Sequence, residues 1–139
     1  NKNWVLLRNS EGHRQVYIFQ KDQTLLISQV GEVDKGRWEE VGDNSILIEI
    51  GSKSTLYKPT HKTEHLLILK VDGKEEYLHF VDEKLYEEGY KTTDKINELI
   101  GVLAESEQKR KNEKDNMVFI LIFLGIPLII FTIIAIIQS

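Results

Sequence analysis

Residues 117–137, MVFILIFLGIPLIIFTIIAII, run for 21 positions without a charge, and sixteen of them are Leu, Ile, Val or Phe. Wound as a helix, the run is about 31 Å long, enough to cross the hydrocarbon core of a bilayer. Each large apolar residue favours insertion by roughly 0.3–0.6 kcal/mol. A helix buried in a soluble core rarely goes so far without a polar face, and a signal segment sits at the start of a chain, so the run predicts a transmembrane helix. Pro127 has no N–H and its ring meets the carbonyl of Phe123, which predicts a kink at Gly125-Ile126-Pro127. Gly125 and Pro127 are therefore the candidates for packing against a partner helix, although a lone glycine is not the GxxxG pattern. The span holds no ionisable residue, which argues against an ion or proton path through it.

Topology follows from the flanks. Lys109, Arg110, Lys111 and Lys114 precede the span, while Gln138 and Ser139 follow it. The positive-inside rule then places the preceding residues in the cytoplasm, as in a single-pass, tail-anchored protein. The chain begins at Asn1 and not at methionine. If a leader has been removed, the domain lies on the other side.

All 18 Lys and Arg and all 22 Asp and Glu lie before the span. That part is mildly acidic, and no clustered basic surface is evident, so a nucleic-acid partner is not expected. The expected partners are the lipid bilayer and an integral membrane protein. With no cysteine, the chain has no disulfide, thiol nucleophile or thiolate metal site.

From Asn3 to Val81 short apolar runs alternate with turn residues about every ten positions, the pattern of an antiparallel meander. The runs are 4–8, 15–20, 24–29, 37–41, 45–50, 55–58, 66–71 and 75–81. Ile46, Ile48 and Ile50 keep a period of two and should face the core. A looser segment holds Gly31 and Gly36. Gly51-Ser52 suits a type II′ turn, Asp72-Gly73 suits a type I′ turn, and Pro59 is expected to end its strand. The count predicts a mainly β fold of about eight strands, barrel-like or a curved sheet, with a sandwich as the alternative. A connection follows at Asp82–Lys91, and the period changes to helical at Ile96, Leu99, Ile100 and Leu103, with Thr93 or Asp94 as N-cap. Residues 105–116 carry no apolar side chain but offer Glu105 with Lys109 and Glu107 with Lys111 as i, i+4 pairs. They read as a solvated helix or a linker. The expected organisation is a β domain over 1–91, a connector over 92–116 and the span over 117–137.

One string matches a catalytic pattern: His61-Lys62-Thr63-Glu64-His65 fits H-x-x-E-H. That pattern converges two imidazoles only at helical pitch, and here Pro59 precedes it and a β-run follows, so a turn and strand start are expected instead. The pairs Glu39-Glu40, Glu75-Glu76 and Glu87-Glu88 read as solvated residues. No catalytic, cofactor or metal constellation is predicted, and the expectation is a non-enzyme. Three residues are candidates to face a partner: Trp38, set between charges, and Tyr77 and His79, which share a strand face. Were a barrel to close, Trp4, Trp38 and the tyrosines at 17, 57, 77, 86 and 90 would line an apolar ligand cavity or, alternatively, fill an ordinary core.

Between Gly36 and Val81 the strings GRWEEVGDNSILIEI, STLYK and EHLLILKVDGKEEYLHFV follow in order. This third of the chain resembles a group of small bacterial β-domain proteins with a G-x-W-E strand, an N-S-x-L-I strand, an L-Y/F-K strand and an L-x-L-D-G-K hairpin. The resemblance implies a compact bacterial β domain and carries no activity or site residues. A meander followed by one helix also resembles pleckstrin-homology-like barrels, without their basic loop; that likeness is one of fold only. Together these features predict an accessory or regulatory subunit of a membrane complex or an immunity-type protein. The alternative is a membrane-attached binder of an apolar ligand.

Overall fold

The computed structural model describes residues 1–10 and 12–138, with side chains described as far as residue 118. Eight strands follow one another in sequence: β1 Asn3–Leu7, β2 Gln15–Phe19, β3 Thr24–Gln29, β4 Glu32–Val41, β5 Ser45–Ile50, β6 Lys53–Lys62, β7 Leu66–Val71 and β8 Tyr77–Asp82. Each pairs antiparallel with the next, and β8 pairs back on β1 through Val5 with Val81 and Leu6 with Phe80, closing a barrel. Closure leaves no strand edge without a partner. A short helix α1, Glu83–Glu87, and a long helix α2, Thr93–Gln138, complete the chain. The chain forms two compact units, Asn1–Asn97 and Glu98–Ser139.

Alternation along the strands sends Tyr17, Leu25, Ile27, Ile48, Leu67, Leu69 and Phe80 inward as one buried cluster. The interior is aromatic at its centre. Tyr17 and Phe80 lie 5.0 Å apart, ring centre to ring centre, and Phe19 stands edge-on to Phe80 at 6.3 Å. Burial pushes the Tyr17 hydroxyl above its usual range, with Tyr57 adding to the effect. Outward residues of β1, β7 and β8 are also apolar and buried: Val5, Leu7, Leu66, Ile68 and Val81. A barrel wall is exposed on its outer side unless something covers it. Here α1 packs on β1 and β8, and Ile96 is fully buried in the same unit. Covering from outside explains why LLILKV is apolar on both faces.

Several expectations need correction. The segment around Gly31 and Gly36 is not loose, because β4 runs unbroken from Glu32. A Cβ at Gly36 would stand 2.5 Å from the carbonyl oxygen of Glu49, so glycine lets β4 bend tightly against β5. Pro59 does not end its strand either. The β6–β7 register shifts between Pro59 and His61, and the extra residue, Thr60, donates its hydroxyl to the Ile68 carbonyl at 3.4 Å. A bulge is where a strand tolerates a residue without an N–H. Gly51 has φ +61° and Ser52 does not share the positive φ, as a type II′ turn requires. At the β7–β8 hairpin Gly73 has φ +75° and Asp72 is not positive, so the turn is not type I′. The loop there is longer, Val71 donating to the Glu76 carbonyl at 2.8 Å, and the two-residue geometry is not imposed.

The helix starts at Thr93, so its cap is Thr92, one residue before the expected caps. The Thr92 hydroxyl accepts from the Lys95 N–H, and Thr93 N–H donates to the Arg8 carbonyl. The first turn of α2, with Thr93 and Ile96 buried, therefore belongs to the barrel unit and not to a separate connector. Residues 105–116 are helical, and Gln108 donates to Asn112 at 3.1 Å. Neither expected i, i+4 pair forms there; the ion pairs among the described residues all lie in the barrel unit. No helix of the described residues is long and apolar enough to cross a membrane. The expected span over 117–137, with Gly125 and Pro127, lies from residue 119 onward outside the residues whose side chains are described.

One turn carries strain. Val30 and Gly31 join β3 to β4 with φ +49° and +81°, a pair of left-handed residues, and Val30 is 71% exposed. A β-branched residue is poorly suited to that region, whereas Asn followed by Gly is its favoured occupant. Val30→Asn is expected to stabilise the barrel by about 0.5–1 kcal/mol, which thermal unfolding followed by circular dichroism would register as a rise of about 3–6 °C. An unchanged or lower midpoint would show that Val30 makes a contact that offsets its strain.

Candidate interaction surface

Trp38 lies on β4, opposite Ile48 of β5, and its ring turns toward the barrel interior at the mouth. Local turn chemistry fixes it there. The β2–β3 turn is held by Gln20 N–H to the Thr24 carbonyl at 2.9 Å and by Thr24 N–H to the Asp22 carboxylate at 2.9 Å. The latter bond holds the Asp22 carboxyl below its usual range. Gln23 takes φ +70° to complete the turn. Two carbonyls of this turn then receive Trp38: its backbone N–H donates to Gln23 at 3.0 Å and its indole N–H to Gln20 at 2.8 Å. Phe19 stands perpendicular to the indole, 5.6 Å away. Around these two rings opens a cleft of 480 Å³, lined by Asn1, Phe19, Lys21, Gln23, Trp38, Glu39 and Glu40. Its size suits ligand or side-chain binding, and its floor is aromatic.

Tyr77 and His79 do share a strand face, with ring centres 6.0 Å apart, but they lie on the outer wall of β8 and do not join Trp38. Tyr77 is 42% exposed and donates its hydroxyl to Glu75 at 2.8 Å, and Lys70 bonds the same carboxylate. The bond to Glu75 raises the Tyr77 pKa, and those from Lys70 and then Tyr77 lower that of Glu75. This is a surface network that satisfies itself. His79 is half-buried, in register with Leu7 on one side and Ile68 on the other, and His61 follows beyond Ile68. Burial, then the neighbouring His61, lowers the His79 pKa. A wall position under partial cover suits packing better than recognition.

The histidines of H-x-x-E-H fall on different elements, His61 on β6 and His65 in the turn before β7. They are not one helical turn apart, which is the geometry the zinc-protease pattern requires. His65 instead bonds the Asp82 carboxylate through Nδ1. Asp82 is buried and N-caps α1 by accepting from Leu85 N–H at 2.9 Å, and Lys2 approaches it at 3.6 Å. Burial pushes its carboxyl up, but the bonds from His65 and Leu85 and the charges of His65 and Lys2 together bring it below the usual range.

A group with a depressed folded pKa adds stability above its unfolded value and loses it as pH falls through the folded one. Stability from Asp82 is thus full above about pH 4 and fades below it. Asp82→Ala is expected to cost about 1–2 kcal/mol at neutral pH by removing the cap and leaving His65 without its acceptor. Asp82→Asn should restore the cap and lose the acid-dependent part. Urea unfolding at pH 7 and pH 3.5 separates the two; an alanine variant as stable as the parent at pH 7 would refute the assignment.

Of the aromatic residues expected around a cavity, Trp4, Trp38 and Tyr57 pack on the core cluster and Tyr17 belongs to it. Tyr77 faces out, Tyr86 is on α1, and Tyr90 follows α1. Phe19, Lys21 and Gln23 were not legible as site residues, because only the hairpin fold brings the β2–β3 turn to β4. Neither a family model, nor a curated protein, nor a solved structure matches the chain.

Proposed function

We propose that this chain is a membrane-anchored, non-catalytic interaction module, an accessory or regulatory subunit of a bacterial membrane protein complex or an immunity-type protein that neutralises its partner. The anchor is the apolar run 117–137, and the basic residues before it put the barrel on the cytoplasmic side of the inner membrane. The observation that carries the reading is the packed interior. Tyr17, Phe19 and Phe80 fill the barrel centre in mutual contact, so recognition falls to the surface, where the Trp38 cleft is aromatic, concave and held rigid by its turn. The same packing counts against a lipid or other apolar ligand held inside the barrel.

The test is gentle detergent extraction of the native protein, size separation, and mass spectrometry of what travels with it. A protein assembly co-migrating in fixed proportion is the expected result. A chain travelling alone, or with a bound lipid in stoichiometric amount, would overturn the subunit reading.

A further inference from the structure

Closure gives each strand a neighbour on both sides, but not along its whole length. β4 pairs with β3 over residues 32–37 and with β5 only over residues 37–41. Before the bend at Gly36, residues 32–35 therefore present one side of their backbone without a ladder partner, and no turn or loop hydrogen bond reaches them among the described residues. β6 overhangs in the same way, since its pairing with β5 ends at Tyr57 while β7 pairs with it as far as Lys62. That overhang carries Pro59, the bulge and a lysine at each end, features by which proteins keep an open edge from recruiting a strand. The β4 overhang has neither proline nor bulge, and its register with β3 is unbroken. It places apolar side chains in water instead: Val33 is 58% exposed, and Val30 at the hairpin tip more so.

An unpaired run of N–H and C=O groups is a template for an added strand, and the side chains on its two faces select which strand. Asp34 is opposite Ile27 of the core, so Asp34 and Glu32 share the inner side of the sheet and Val33 and Lys35 the outer. None of the three charged residues has an ion pair among the described residues. A second copy is a poor occupant. Antiparallel pairing about a two-fold axis centred on Val33 sets Glu32 opposite Asp34, and centring on Glu32, Asp34 or Lys35 sets each against itself; like charges directly opposite destabilise a strand pair. A different chain satisfies the same edge when it is apolar opposite Val33 and basic opposite the two carboxylates.

We infer that the free side of β4 over residues 32–35 takes an extended segment of a partner protein as an added strand, with an apolar residue against Val33 and basic residues against Glu32 and Asp34. This edge is a surface apart from the Trp38 cleft, and the inference does not depend on that cleft.

The experiment titrates the ¹⁵N-labelled full chain in non-ionic detergent micelles with the peptide acetyl-Thr-Lys-Val-Lys-Val-Lys-Thr-amide. Amide signals of residues 32–35 are expected to shift saturably, and those whose N–H faces the free side should become protected from hydrogen exchange, while the Trp38 indole signal stays in place. Val33→Lys, at an exposed side chain, should weaken binding about fivefold with the spectrum otherwise intact. The same peptide N-methylated at every residue keeps its charge but loses its donors, and should not bind. Equal binding by the methylated peptide, or by acetyl-Thr-Glu-Val-Glu-Val-Glu-Thr-amide, overturns the inference, as does a peptide that moves the Trp38 indole and leaves residues 32–35 unmoved. Protection of residues 32–35 that appears without peptide and grows with protein concentration overturns it in favour of a second copy.

Discussion

Phe80→Ala is expected to destabilise the barrel by about 3–5 kcal/mol, the range for removing a fully buried aromatic ring without collapse of its surroundings. Phe80 is 0% exposed and meets Tyr17 and Phe19 ring to ring, while its strand pairs with Leu6 of β1 and Leu67 of β7. The residue therefore sits at the seam where β8 closes on β1, and its loss weakens core and closure together. Against a total stability of about 5–15 kcal/mol, such a loss leaves a marginal fold. Urea unfolding of the full chain in mild detergent, followed by near-ultraviolet circular dichroism, should show the midpoint falling by about 2 M. Phe80→Leu, which keeps most of the volume, should lose about 1 kcal/mol. A loss below 1 kcal/mol for the alanine variant would mean that the interior is not packed around this ring, and the case against an internal ligand would go with it.

Gly36→Ala is the second large effect, and it acts by adding a single carbon. The new Cβ would meet the Glu49 carbonyl oxygen at 2.5 Å, and that atom belongs to backbone and cannot swing aside. Either β4 loses its bend or the β4–β5 pairing opens, at an expected cost of about 2–3 kcal/mol. Thermal unfolding should fall by about 10 °C or more. Gly12→Ala is the matched control, since a Cβ there meets nothing within 4 Å and the change should stay within about 0.5 kcal/mol. Equal midpoints for the two variants would refute the close approach. Because Trp38 lies two residues further along β4, Gly36→Ala should also disturb the Trp38 indole signal, whereas Gly12→Ala should not.

What the amino-acid sequence determined by itself was local. Short apolar runs punctuated by turn residues located the eight strands in order, and glycine at Gly51 specified its hairpin, because strand patterning and φ preference are properties of a few neighbouring residues. The helical period after Asp94 was equally local. The errors arose where local rules compete with pairing to a distant strand. Pro59 stays in β6 because a bulge opposite β7 removes the need for its N–H, and Gly36 reads as loose until β5 is seen pressed against it. Only the tertiary structure decided that β8 would pair with β1, and that the outward faces of β1, β7 and β8 would be covered. It also decided that a turn carrying Phe19, Lys21 and Gln23 would meet Trp38 to form the cleft, while Tyr77 and His79 went to the wall. The physical reason is that a strand's alternation specifies which side chains share a face, and closure alone specifies which face is inside and which residues stand together at its mouth.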